Sequence, residues 1–327
     1  MTPPTISLSI IIPTYNRVGL IKFTLDSLQP QFHPGIAMEI IVVDDGSTDG
    51  TWDFIEKNYP VVKLYRNDKK GATSARNKGL SMAQGTYIMY LDSDDLVGAG
   101  FFAGKIQLLD TQSVYHACYG TYEYFQSDSA FSSDQIIFKY KYPLLAGQRN
   151  GKAHLTNFLS GNFTPLNSII WRKSFLLKIK GHDEKLAINQ DVELFIRAIF
   201  KGLLITGIDD GTKVYVRHHD VDKRVGDPRN ESHKWRQILE LRKKIFADLT
   251  LYSYNETECF EALSSYLFSH WRMLRHSDAE LANAYLDFAK TVYWPVHIKG
   301  TAGFRFMSSV LGPVRAVEVK YFLLKRD

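Results

Sequence analysis

A doubly wound α/β domain with a mainly parallel sheet and helices on both faces is the fold class the sequence predicts. Two patterns carry that prediction. Short apolar runs alternate with segments of helical periodicity through roughly the first two hundred residues, the order expected of parallel strands joined by crossover helices. Three of the apolar runs end in polar residues: Pro13-Thr14-Tyr15-Asn16, Asp44-Asp45 and Asp92-Ser93-Asp94-Asp95. Ligands of such sheets bind at the carboxyl ends of the strands, so three polar strand ends mark one shared working edge. A third observation bounds the domain. After Asp222 the composition turns to a charged linker, KRVGDPRNESHKWR, and then to helix-period segments, which places a boundary near 225 between the α/β domain (1–225) and a helical extension (226–327).

Leu8 to Ile12 reads as a buried strand stopped by Pro13. Ile21, Leu25 and Leu28 then recur at helical spacing. EIIVVDD is the second strand, and Trp52 with Ile55 begins the second helix. VVKLY, residues 61–65, is the third strand. Ala72, Ala75, Gly79 and Ala83 give the following helix a small-residue face suited to close packing, and TYIMYLDSDD is the fourth strand. Beyond Val114 the pattern is mixed: a strand-like SVYHACYG, a polar and aromatic-rich loop to about Asn150, and a short apolar strand in LNSIIWRKSFL. Asp191 opens a helix with Val192, Phe195, Ile196 and Ile199 on one face, and LLITGI and KVYVRHHD read as two closing strands.

Bulk composition excludes several classes. The 327 residues are 45% hydrophobic and 23% charged, which is ordinary for a folded chain. A net charge of +5 without a clustered basic stripe does not support nucleic-acid binding, and HKWRQILELRKKIF reads better as a solvated amphipathic helix. Cys118 and Cys259 stand in no metal-type spacing and suggest neither a zinc site nor a disulfide scaffold. The start, MTPPTISLSIIIP, lacks the basic region and long apolar core of a signal peptide, and no stretch approaches the ~20 apolar residues of a spanning helix. A cytoplasmic protein is expected.

The stretch VVDDGSTDG (42–50) ends a buried strand in two adjacent carboxylates. Turn and helix-cap chemistry explains such residues in isolation. Five carboxylates near one sheet edge, however, call for positive charge. Asp92 and Asp94, on alternate positions of an extended segment, suit Mg²⁺ or Mn²⁺, which take one or two carboxylates together with phosphate oxygens. KKGATSARNKG supplies the opposite charge: Gly71 permits close backbone approach, the helix after it offers free N–H groups, and Arg76 can reach an anion.

SIIIPTYNR, IIVVDDGSTDGT, GATSARNKGL, YIMYLDSDD and NQDVELFIRAIFKG follow the order and spacing of the family 2 glycosyltransferases, which have the GT-A fold, and the chain resembles that family over its first two-thirds. The resemblance implies that Pro13, Tyr15 and Asp45 surround the nucleotide base and ribose, with Asp45 on the uracil edge. Thr14, Asn16, Gly71 and Ser93 complete the candidate substrate contacts, and Arg76 flanks the nucleotide-sugar. Asp92 and Asp94 are the D-x-D pair, with Asp94 contacting the metal that bridges the diphosphate. Asp191 falls at the general-base position; the first acid of the usual acidic pair is Gln190 here. GHDEKL resembles the family's Gly-Phe-Asp-Glu turn, with His182 in place of the aromatic. His219 fits a late histidine near the metal or diphosphate, with His218 beside it; a surface pair explains the two equally well.

The expected function is a metal-dependent, inverting transfer of a hexosyl-type sugar from a nucleotide-diphosphate donor, taken as a UDP-sugar, to a hydroxyl of a saccharide or lipid-linked acceptor in surface-polysaccharide synthesis. A helix N-terminus at Asp191 is expected to favour its charged form and keep it a competent base. A sugar nucleotidyltransferase would need a glycine-rich phosphate loop after the first strand, and PTYNR has none. A non-catalytic nucleotide-sugar binder differs by few residues. The last segment, from Tyr293, mixes aromatics with Arg305, Arg315, Lys320, Lys325 and Arg326. It reads either as a peripheral membrane contact or as a helical hairpin that covers the domain or a homo-oligomer interface.

Overall fold

In the computed structural model, which describes residues 6–31, 36–126, 136–138, 149–150, 152–161, 164–218, 232–294 and 308–317, the first apolar run forms β1 (Leu8–Thr14), buried at every position. The alternation continues through α1 (Ile21–Leu28), β2 (Met38–Asp44), α2 (Thr51–Asn58), β3 (Lys63–Arg66), α3 (Ala72–Met82) and β4 (Tyr87–Tyr90). Beyond these lie β5 (Leu96–Val97), α4 (Ala103–Thr111), β6 (Ala117–Tyr119), β7 (Thr121–Phe125), β8 (Ile136–Phe138), β9 (Arg149–Asn150) and α5 (Lys152–Leu159). β10 (Ile169–Arg172), α6 (Lys173–Lys178), α7 (Gln190–Phe200), β11 (Leu204–Gly207) and β12 (Lys213–Arg217) follow.

The main sheet runs β3-β2-β1-β4-β10-β6-β11-β9. Its first four strands are mutually parallel, and β10 enters antiparallel to both β4 and β6. Parallel registers pair Thr14 with Asp44 and Ile11 with Tyr90, so β1, β2 and β4 all end toward the same edge.

β1 passes through Pro13 instead of stopping there. The Thr14 carbonyl accepts from the Asp45 amide on the β2 side and the Ile11 carbonyl from the Leu91 amide on the β4 side. Pro13 therefore turns its missing N–H toward β4, where pairing has already ended after Ile11. The third strand begins two residues later than expected. Tyr59 is the residue that buries after α2, its carbonyl accepts from the Val62 amide in a turn, and Val61 is left 74% exposed.

A second sheet, β5-β12-β7-β8, corrects two expectations. KVYVRHHD closes this sheet and not the main one, with β12 parallel to β7. The segment read as a polar loop after Gly120 holds β7, where Tyr122 and Phe125 are buried and the buried Glu123 carboxylate pairs with Lys213. Charge–charge pairing lets a polar-looking strand go inside.

The small-residue face of α3 packs onto β1. A Cβ on Gly79 would stand 2.3 Å from the Ile11 Cγ2 methyl, in the fully buried centre of the sheet. Gly79→Ala is expected to lower stability by about 1–3 kcal/mol through overpacking, read as a fall in the urea midpoint with an unchanged m-value.

The chain divides into two compact units, one of residues 1–152 with 163–226 and one of residues 153–162 with 227–327. The second unit gathers α5 with three helices, α8 (Ser232–Leu251), α9 (Thr257–Leu274) and α10 (Ala279–Val292). Its core includes Trp235, Ile238, Leu263, Leu267, Trp271, Leu281 and Tyr285. The Asp278 carboxylate caps α10 by accepting from the Leu281 amide at 3.0 Å. Among the described residues no helix is long and apolar enough to cross a membrane. Residues 295–307 and 318–327, which hold most of the basic and aromatic tail, lie outside the described residues.

Candidate active site

The loops after β1 and β2 are stitched together amide by amide. Asn16, in the left-handed region at φ 50°, donates its N–H to Ser47 Oγ at 2.9 Å. Its side-chain Oδ1 accepts from the Thr48 amide at 2.9 Å. The Arg17 amide donates to Thr51 Oγ1 and the Val18 amide to Asp49 Oδ2. Burial lifts the Asp49 carboxyl, but bonds from the Thr51 hydroxyl and from the Val18 and Thr51 amides outweigh that lift and hold it below its ordinary range. Ser47, Thr48, Asp49 and the Asn16 side chain are thus the joinery of the edge.

The two carboxylates at the end of β2 diverge. Asp44 is fully buried, pairs with Arg66 and accepts from the Gly46 and Ser47 amides. Arg66 in turn lies over the Trp52 ring at 3.9 Å. Asp45 stays partly open. Its Oδ1 accepts from Asn67 Nδ2 at 2.7 Å, and Gly71 presents its N–H to both oxygens at 2.9–3.0 Å. Gly71 has φ 118°, a conformation that favours glycine. Its amide therefore serves Asp45, and Tyr15, the residue after β1, is 53% exposed.

After β4 the chain turns instead of staying extended, with the Asp95 amide bonded to the Asp92 carbonyl at 3.2 Å. The expected side-by-side display of Asp92 and Asp94 is therefore replaced by two separate arginine contacts. Asp92 takes Arg76 Nη2 at 2.8 Å, and Asp94 lies 3.5 Å from Arg17 Nε. Asp95 is 2% exposed and accepts from Asn167 Nδ2 and from the Arg217 amide at 2.7 Å. Burial, with the charges of Asp94 and Asp92, pushes its carboxyl well above the ordinary range. Ser93 is buried in the same turn.

Arg76 is the hub of the site. Only 7% of its side chain is exposed; it holds Asp92 at 2.8 Å and Gln190 Oε1 at 3.0 Å, and its Nη1 lies 4.0 Å from Asp191 Oδ1. It sits under the edge instead of reaching out from it. Asp191 stands in the first turn of α7, where Asn189 occupies the N-cap position. Asp191 Oδ1 has no hydrogen-bond partner, so this oxygen is not capping the helix. The expected lowering by the helix N-terminus is overturned. Burial raises the Asp191 carboxyl above its ordinary range, Arg76 pulls it back, and Asp92 adds to the lift.

The turn GHDEKL is fastened to α3 by Asn77, whose side chain bonds the His182 amide at 2.8 Å, the His182 carbonyl at 2.9 Å and Glu184 at 3.1 Å. His182 is buried, meets Tyr90 edge-on at 5.0 Å, and is held neutral by burial with Arg76 and Arg197 nearby. An uncharged imidazole edge-on to a tyrosine packs as an aromatic ring does.

Residues 9–175, just over half of the chain, match the family described as Glycosyl transferase family 2. The chain belongs to this family. Among curated glycosyltransferases, the UDP-Glc:alpha-D-GlcNAc-diphosphoundecaprenol beta-1,3-glucosyltransferase WfaP of Escherichia coli is 39% identical over 122 residues, 37% of this chain and 47% of that protein. The poly(ribitol-phosphate) beta-glucosyltransferase of Bacillus spizizenii is 43% identical over 97 residues, 28% of this chain and 15% of that protein. The chain thus spans less than half the length of these relatives. S. aureus TarS 1-349 in complex with UDP-GlcNAc superposes with a TM-score of 0.62 at 20% identity, over 95% of this chain and 83% of that one. That likeness shows a shared fold, the GT-A-like α/β architecture.

Within this family 2 glycosyltransferase the structure gathers Asp92, Arg76 and Asp191 into one cluster and sets Asp45 with Gly71 beside the β1 loop. Thr14 is 2% exposed with its hydroxyl lacking a partner, and Pro13 sits inside β1. His219 lies outside the described residues. Sequence reasoning missed Arg17, Asn77 and Asp95. Arg17, the last residue of PTYNR, offered a signal, as a cation at a strand end; Asn77 and Asp95 act only through long-range partners.

Proposed function

We propose that this glycosyltransferase moves a sugar from a UDP-sugar to a hydroxyl of a saccharide or lipid-linked acceptor in surface-polysaccharide synthesis, with a divalent metal ion and inversion at the anomeric carbon. The observation that carries the reading is the Asp92–Arg76–Asp191 cluster at the edge where the parallel strands end. It sets a candidate base beside a candidate diphosphate site. The name of the E. coli relative supports a UDP-sugar donor and a lipid-diphosphate-linked acceptor, and that of the B. spizizenii relative supports glucosyl transfer to a poly(ribitol-phosphate).

The residues suit a hard cation. Asp92 is half exposed, its Oδ2 takes no hydrogen bond among the described residues, and the lift of Asp95 by Asp92 and Asp94 marks concentrated negative charge. No group of three His, Cys, Asp or Glu side chains among the described residues is arranged to hold an ion, but Mg²⁺ or Mn²⁺ needs only one or two carboxylates when a diphosphate supplies further oxygens. Asp94 and Asp92 would hold it, and bound there it would neutralise charge on the departing nucleoside diphosphate.

Asp45, fixed by Asn67 and Gly71, keeps lone pairs on Oδ2 for a uracil N3–H donor. Tyr15, which follows the Thr14 whose carbonyl accepts from the Asp45 amide, is exposed. Asp191 takes the proton of the acceptor hydroxyl as it attacks, and its raised pKa makes it a stronger base once ionised. Arg76 fixes the distance between this base and Asp92. One base and in-line attack invert the anomeric carbon.

A panel of nucleotide-sugars assayed for nucleoside diphosphate release, with Mn²⁺ and with excess EDTA, tests the reading. Turnover of one donor with Mn²⁺ and none in EDTA is expected. Full turnover in EDTA would overturn the metal requirement, and binding of donors without turnover on any glycan acceptor would favour a non-catalytic binder.

A further inference from the structure

We propose that the helical unit binds a small oxyanion, a phosphate or a carboxylate, in its core on Arg242 of α8. The sequence of that helix is the starting point. Trp235, Ile238, Leu239, Ile245 and Leu249 recur at helical spacing and are buried, and Arg242 stands in the middle of the same stripe. Its exposure is 0%. A guanidinium stays charged at any pH a folded protein meets, so a position in the core calls for a partner of opposite charge.

Other buried cations of this chain have one. Arg76 holds Asp92 at 2.8 Å, and the equally buried Lys105 holds Asp210 at 3.0 Å. Arg242 has no ion pair among the described residues, and no carboxylate of α8, α9 or α10 is buried. Ser264, the other buried polar side chain of these three helices, is committed to the Ala289 and Tyr293 carbonyls.

The surroundings supply ring faces and donors. The guanidinium lies over the Tyr266 ring of α9 at 4.1 Å, a contact that offsets charge but takes no N–H. Tyr266 packs on His270 at 4.0 Å, and His270 meets the Trp235 ring at 5.1 Å and the Tyr285 ring of α10 at 5.6 Å. The Tyr285 hydroxyl donates to the Trp235 carbonyl at 2.8 Å. Burial lowers the His270 imidazole to about 4; the Tyr266 carbonyl pulls it up and Arg242 pushes it down, so it adds no second charge at neutral pH. Three buried N–H donors are left without an acceptor: Arg242 Nε, Arg242 Nη1 and Trp235 Nε1, the last two turns back on the same helix face. One unpaired cation with several unfilled donors is the complement of an oxyanion. Tyr266 and His270 are half-buried, so the cluster reaches the surface of the unit through α9.

Melting curves of the full chain in EDTA, at constant ionic strength held with sodium chloride, test this against rising inorganic phosphate and, separately, acetate. The Trp235 indole N–H is followed in parallel by NMR. In wild type at least one of the two anions is expected to raise the melting temperature saturably by about 2–4 °C and to shift the indole signal over the same concentrations. Arg242→Met keeps the length of the side chain without its charge, and both responses should vanish in it. Without anion this variant should melt no lower than wild type, because an unpaired buried charge is gone. Should it fail to fold, Trp235→Phe removes a single donor and is expected to weaken the melting response to the anion about 3- to 10-fold in concentration. A wild type that responds to neither anion overturns the proposal and leaves Arg242 a packing partner of Tyr266. A response that Arg242→Met retains also overturns it, by placing the anion elsewhere.

Discussion

Asp191→Asn should lower kcat by about 100- to 10,000-fold while donor affinity stays nearly constant. The substitution keeps size and removes basicity, and the geometry makes it a clean one. Asp191 Oδ1 has no hydrogen-bond partner, and the N-cap position belongs to Asn189, so no capping bond through this oxygen is lost. Stability gives a second readout with a definite sign. Burial and Asp92 raise the Asp191 carboxyl above its ordinary value, so the folded state binds this proton more tightly than the unfolded chain. Its stabilising contribution is full below the unfolded pKa and lost as pH rises through the folded one. At neutral pH the ionised group weighs against folding, and the asparagine variant should melt no lower than wild type. In wild type the rate should fall as pH drops through the raised Asp191 pKa, and that acid limb should be missing from the residual rate of the variant. A variant that melts lower and retains its rate would make Asp191 structural.

Asp94→Ala should take transfer below detection and weaken UDP binding in Mn²⁺, with the fold intact. The Asp94 carbonyl that receives Arg217 Nε at 2.9 Å is backbone and survives the change. Removing the Asp94 charge also relieves Asp95, whose carboxyl it helps to push up, so the buried turn gains rather than loses electrostatically. Thermal melts together with UDP titrations in Mn²⁺ and EDTA check this. If the variant keeps wild-type turnover, or binds UDP in Mn²⁺ as wild type does, Asp94 is not a metal ligand. Asp92 is a poorer probe of the same point, because it is a charge partner of the buried Arg76 and its loss also unsettles the hub.

The first four strands and their helices were legible because their order follows from local patterns: apolar runs of strand length, helical spacing at Ile21, Leu25 and Leu28, and polar residues at three of the strand ends. The sheet edge that carries the candidate site was legible for the same reason, since parallel strands that end in Thr14, Asp44 and Tyr90 must present their following residues there. β7 was not legible, because Glu123 goes inside only through its pairing with Lys213, ninety residues away. The assignment of β12 to a second sheet was hidden likewise, as a five-residue strand carries no local mark of its partner.

At the level of single residues the division is sharper. Residue identity by itself determined that acids, a glycine and arginines meet at the sheet edge, since these types and their strand-end positions are properties of the chain. Tertiary structure decided which of them stay available. Asp44 is buried on Arg66 while its neighbour Asp45 remains partly open. Arg76 is committed beneath the site while Arg17 stays partly exposed. Asp191 is raised, not lowered, because burial and Asp92 outweigh Arg76. Each of these outcomes depends on desolvation and on charges brought together across long sequence separations, and both arise only when the chain is folded.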